Sequence, residues 1–217
     1  MQIIRSSIIL FAMLFLFTLF GAGSRADGAN NKKTFLPKSF RAKFTQQFKR
    51  SLHGKTKENN GILDYRSPGN FRFELKGKTN MIVVSNPLKT WHYKPPFIKG
   101  QRGELKISAT KKSTFVSFFD MISSGLKTND DYKVSDIDGG VKLEFAEARV
   151  KEIGIREGYL YFEKGKKRVF ENLNSFSLVY KNGKNAKFIF SKIEINKIFT
   201  TKHFEFHAPP GTRKSNI

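Results

Sequence analysis

Two periodicities divide the chain. In the first stretch, Leu36, Phe40, Phe44, Phe48 and Leu52 recur every fourth residue, while Lys38, Arg41, Gln46 and Lys49 take other faces. This spacing predicts an amphipathic helix over 34–52, with Pro37 tolerated in its first turn. The stripe drifts about 40° per step around a helix of 3.6 residues per turn, which suits a helix lying obliquely on a curved sheet. Phe40, Phe44 and Phe48 then pack that helix onto the sheet.

From Gly61 onward the period becomes two. Phe71, Phe73 and Leu75 alternate with Arg72, Glu74 and Lys76; Val141, Leu143 and Phe145 alternate with Lys142 and Glu144; Ala186, Phe188 and Phe190 do so around Lys187. Such alternation predicts half-buried strands. Asn182-Gly183 and Asp138-Gly139 are hairpin signals, with Glu157-Gly158 and Lys164-Gly165 as weaker turn markers. Without helical pattern between the late strands, the sheet is expected to be antiparallel, about nine to eleven strands, and curled. One segment interrupts it: Phe115, Phe118, Phe119 and Ile122 fall at i, i+3, i+4 and i+7 between Ser113 and Gly125, the residues that would cap and end a helix. The expectation is a mainly β (α+β) fold, a strongly curved unclosed barrel whose concave side is covered by apolar helix faces.

The N-terminus bears on compartment. Arg5 precedes an apolar run from Ile8 to Phe20, and Ser24-Arg25-Ala26 supplies small residues before a cut. The run is about 20 Å long as a helix, short of the roughly 30 Å core of a bilayer, so it reads as a secretory leader, residues 1–26. Residues 27–217 remain as a single domain opening on a polar lead over 27–33, with no second apolar run long enough to span. Composition sharpens this. The 217 residues carry a net charge of +22, with 23 Phe and no Cys. Losing Arg5 and Arg25 leaves +20 on an exported chain, which points away from nucleic acid and toward anionic membrane surfaces or acidic proteins. Absence of Cys excludes disulfides, thiol catalysis and an acylated Cys anchor.

Candidate chemistry is sparse. His203 and His207 would share a helix face, but Phe204-Glu205-Phe206 alternates as a strand, which separates them by roughly 13 Å and argues against a metal site. No nucleophile elbow, phosphate loop or dinucleotide motif occurs. No enzyme activity and no cofactor are expected.

Several segments together resemble the LolA family of periplasmic lipoprotein carriers. They are Phe44-Thr45-Gln46-Gln47-Phe48; Arg66-Ser67-Pro68-Gly69-Asn70-Phe71-Arg72-Phe73; Ile82-Val83-Val84-Ser85 with Thr90-Trp91-His92-Tyr93-Lys94-Pro95; and Phe204-Glu205-Phe206-His207-Ala208-Pro209-Pro210-Gly211 as a closing strand. The resemblance implies an unclosed barrel with a helical lid around an apolar cavity that shields acyl chains. It implies lipoprotein cargo from an inner-membrane ABC transporter of the LolCDE kind, delivery to an outer-membrane receptor of the LolB kind, transient encounter with membrane surfaces, and a monomer. By that pattern Phe71, Phe73, Trp91 and Tyr93 point to the cavity or its mouth, and Phe115, Phe118, Phe119, Met121 and Ile122 form the lid's underside. The family's lid latch is an Arg directly before Pro. Here Ser67 holds that position and Arg66 stands one residue earlier, so the expectation that Arg66 tethers the lid requires a local bulge. The absent Cys separates the chain from the anchored receptor. Two other readings are a basic periplasmic protein that binds anionic lipid or lipopolysaccharide, and a LolA-like sensor module for a regulatory protein.

Overall fold

The computed structural model describes residues 34–216 apart from 50–55, 78–79, 99 and 111–112. The expected leader lies outside them, as does Leu52. Among the described residues no helix is long and apolar enough to cross a membrane.

Alternation builds a first meander of β1 (Ser39–Lys49), β2 (Thr56–Arg66), β3 (Asn70–Gly77), β4 (Met81–Ser85), β5 (Lys89–Lys94) and β6 (Glu104–Ala109). After α1 (Thr114–Ser123) the chain continues through β7 (Tyr132–Ile137), β8 (Gly140–Phe145), α2 (Glu147–Ile153), β9 (Ile155–Phe162), β10 (Leu173–Tyr180), β11 (Asn185–Ile195) and a short β12 (Arg213–Asn216). The strands form one open sheet in the order β12-β6-β5-β4-β3-β2-β1-β11-β10-β9-β8-β7. The two meanders are joined where β1 pairs antiparallel with β11, and β12 lies parallel to the β6 edge. The count among the described residues is therefore twelve, one above the expected range.

The helix expected over 34–52 is instead the central strand β1, bonded to β2 on one side and β11 on the other. Its four-residue spacing is twice the strand period. Phe40, Ala42 and Phe44 are all buried on one face, while Arg41 and Lys43 face the other way. Gly61 of β2 lies under the Phe44 ring, whose Cζ is 2.2 Å from where a Cβ would stand.

The turn signals divide in the same way. Asp138-Gly139 joins β7 to β8 and Asn182-Gly183 joins β10 to β11, with Gly139 and Gly183 at positive φ. Lys164-Gly165 also forms a turn. Glu157-Gly158 does not: it runs through the middle of β9, where Gly158 faces the Phe118 ring. The segment 204–206 is not a closing strand either. A 3₁₀ turn spans Thr201–Phe204, because Phe204 is buried against the sheet and the segment crosses the strands rather than joining them. α1 occupies the span expected for a helix between Ser113 and Gly125, whereas the short α2 had no counterpart in the sequence pattern.

Candidate functional site

Alternation sends the phenylalanines of β1, β3, β10 and β11 to one concave face. Phe44 stacks on Phe73 at 5.2 Å between ring centroids, Phe71 lies 6.1 Å from Phe73, and Phe176 stacks on Phe188 at 4.4 Å. α1 lies over these rings. Phe115 stacks on Phe73 at 5.2 Å and Phe71 at 5.9 Å, while Phe118 stacks on Phe176 at 6.0 Å. Phe119 touches Phe40, Tyr65, Phe71 and Phe176. Val116, Phe118, Phe119 and Ile122 are buried under α1, and Phe115 is half-buried. Met121 sits at the helix flank, where it packs against the core and also lines a cleft of about 530 Å³ with Pro68, Gly69 and Pro87. The trough is thus closed and filled by its own side chains.

Polar contacts that hold the helix down are few. The Tyr65 hydroxyl donates to the Asp120 carboxylate at 2.7 Å, from β2 to the middle of α1. At the C-terminal end the Phe35 amide donates to the Ser123 carbonyl at 3.1 Å, and the Tyr132 hydroxyl to the Gly125 carbonyl at 2.5 Å. Burial raises the Tyr65 phenol pKa, and the Asp120 charge adds to it. Tyr65 and Asp120 carried no motif in the sequence; the signal was only that Tyr65 shares the parity of Leu63 on an alternating strand.

Phe71, Phe73, Phe115, Phe118, Phe119 and Ile122 are brought together at this trough. Trp91 and Tyr93 are not. In the β4–β5 register Val83 faces His92 and Val84 faces Trp91, so the face shared with Phe73 receives His92 while Trp91 and Tyr93 point to the convex side. Burial, then Lys106 and Lys94, depress the His92 pKa. Ser85, Thr90 and Thr110 are buried beside it, hydrogen-bonded to one another through Ser85. The trough is therefore aromatic over β1–β3 and β10–β11 and polar over β5–β6.

Arg66 also lies on the convex face, because its neighbour Tyr65 points inward and no bulge intervenes in the β1–β2–β3 register. It donates to the Phe199 carbonyl at 2.9 Å and stands 5.0 Å over the Phe204 ring. Arg72 donates to the His203 carbonyl at 3.2 Å. Asp64, 2% exposed, accepts from Arg41 Nε at 2.6 Å and Nη2 at 2.7 Å, and pairs with the His203 ring at 2.6 Å. Tyr93 meets Phe206 at 5.0 Å. These residues clamp the C-terminal segment across the convex side over a second small core of Val84, Tyr93, Leu105 and Phe204. The expected latch residue thus holds this strap, and Tyr65 occupies the position that reaches the lid.

The fold is thus an open curved sheet with α1 seated on an aromatic concave face. The profile of the family described as outer membrane lipoprotein carrier protein LolA matches residues 37–207, and the chain belongs to that family. It is similar to an outer-membrane lipoprotein carrier protein of Pseudomonas aeruginosa, at 23% identity over 88% of this chain and 85% of the relative. One from Methylibium petroleiphilum is 25% identical over 89% and 91%. A solved LolA superfamily protein from Nitrosomonas europaea is similar over 78% of this chain and 91% of its own, with TM-score 0.40 and 10% identity.

Proposed function

We propose that this chain is a lipoprotein carrier that shelters acyl chains between α1 and the concave face of the sheet. The supporting observation is that an aromatic trough is covered by a single ten-residue helix held by few polar contacts. Lifting α1 in water would expose Val116, Phe118, Phe119 and Ile122, at about 1.5–3 kcal/mol each. An acyl chain entering the trough offsets that cost at about 0.8 kcal/mol per CH₂, roughly 12 kcal/mol for some 15 carbons. Because the gain and the cost are of similar size, cargo exchanges with the lid's own side chains, and delivery needs no chemical step. The polar strip along Ser85, Thr90 and His92 faces the head of such a ligand, where the acylated N-terminus carries its amide and ester groups.

In this reading residues 1–26 direct export and are removed, and 27–217 act as one domain in the periplasm. Cargo arrives from an inner-membrane ABC transporter of the LolCDE kind and leaves for the outer membrane, through a LolB-like receptor where one exists. The family is one of carriers, and no catalytic role is assigned. The test is gel filtration of the purified mature chain with a fluorescent triacylated lipopeptide and its deacylated counterpart. The acylated peptide should co-elute, the deacylated one should not, and Phe115→Glu should abolish the complex. Equal retention of both peptides would sink the proposal and favour a surface polyanion site.

A further inference from the structure

The β5–β6 loop carries a feature the trough does not use. Its sequence from 95 to 103, Pro-Pro-Phe-Ile-Lys-Gly-Gln-Arg-Gly, has no acidic residue. At its tip Phe97 is 91% exposed and Ile98 57% exposed, adjacent large apolar side chains turned to solvent. The base is firmly built. Tyr93 packs against Gly103 and Phe206, the Arg213 amide donates to the Gly103 carbonyl at 2.9 Å, and the Gln101 amide closes a turn on the Ile98 carbonyl at 3.1 Å. Lys94 and Arg102 flank the tip, both exposed; Glu104, opposite Lys94 in the register, is the nearest carboxylate along the chain.

We propose that Phe97 and Ile98 insert into the interface of an anionic bilayer, with Lys94 and Arg102 against its headgroups. A soft lipid surface suits this tip better than a protein groove does. Two side chains offer at most a few hundred Å², below the roughly 800 Å² per partner of a stable protein interface. An aromatic and an aliphatic side chain flanked along the chain by two exposed cations is instead the chemistry of an interfacial anchor. The tip also has a useful position. Pro95 at its base lines a cleft of about 350 Å³ with Leu75, Met81 and Ile82, and Leu75 and Met81 belong to the rim of the concave core. A seated tip sets that rim at the lipid surface, and this holds whatever the trough carries.

The experiment is co-sedimentation of the full mature chain, without cargo, with phosphatidylcholine vesicles containing or lacking 30% phosphatidylglycerol, a composition of about one anionic lipid in three. The wild type should bind the anionic vesicles and be released by salt. Phe97→Ser with Ile98→Ser should weaken binding roughly ten-fold or more. Lys94→Gln or Arg102→Gln should each weaken it about five-fold. Leu88→Ser and Ile198→Ser, exposed apolar positions elsewhere, should leave it unchanged. In a Trp91→Phe background, Phe97→Trp should shift to the blue and be quenched by brominated lipid. Failure of the wild type to bind, equal binding by the Phe97/Ile98 variant, or an unquenched Trp would each overturn the proposal. Lipopeptide retention by the trough is a separate readout, and its loss or survival decides only the carrier reading.

Discussion

The Tyr65 hydroxyl reaches the Asp120 carboxylate at 2.7 Å and so joins the middle of the sheet to the middle of the lid. Tyr65 is fully buried, its ring 5.9 Å from Phe119, while Asp120 is exposed on the helix top. The bond spans the thickness of the aromatic layer. The Tyr65 ring belongs to the aromatic layer and its hydroxyl to the contact with the helix.

Tyr65→Phe keeps the ring and deletes the tether. A hydrogen bond of this kind contributes about 1 kcal/mol, so the open lid should become roughly five-fold more populated. Hydrogen exchange of the α1 amides should accelerate by that factor. Asp120→Asn in the otherwise native chain, which keeps both the Tyr65 hydroxyl and an acceptor, should retain most of the protection.

Arg66→Leu should behave differently, because Arg66 bonds Phe199 and covers Phe204 on the other face. Exchange should rise over 199–204, with α1 unaffected. Faster exchange confined to α1 would instead return Arg66 to the latch role.

Gly61→Val should displace the Phe44 ring, since a Cβ would also stand 2.8 Å from the Glu74 carbonyl. Overpacking of this sort costs about 1–3 kcal/mol, read as a lower denaturation midpoint at unchanged slope.

How far this could be read from sequence depends on period. The late strands and α1 were legible because alternation and the i, i+3, i+4, i+7 spacing are distinct signals. β1 was not: Phe40, Phe44 and Phe48 satisfy a winding helical stripe as well as every second inward position of a strand. Ala42 and Gln46, which fill the positions between, are too small or too polar to reveal the shorter period. The trough's β3 and lid residues were legible for the same reason as their elements. Trp91, Tyr93 and Arg66 were misplaced because facing depends on cross-strand register, which one chain's pattern does not encode. α2 leaves no periodic signal because Ile153 is its one fully buried residue.

Two pH dependences follow from the buried groups. Burial raises the phenols of Tyr65 and Tyr132 and pushes Tyr180 up to about 12, so their neutral forms stabilise the fold. That contribution is complete below about pH 10 and is lost as pH rises above it. Urea midpoints should fall as pH rises from about 10 to about 12, and fall less in Tyr65→Phe. The depressed His92 pKa acts at the other end: its contribution is present above about pH 6.5 and is lost as pH falls below that value. His92→Gln should flatten the acid limb between about pH 7 and 5.

The carrier account rests on contact between acyl chain and trough, and a photo-cross-linker placed at Phe115 tests it most directly. In cells, illumination should join position 115 to acylated lipoproteins. The adduct should vanish for a cargo whose lipidated Cys is replaced, and a cross-linker at the exposed Val169 should capture none. If position 115 captures no lipoprotein, or captures the non-acylated form as well, the trough is not an acyl-chain site.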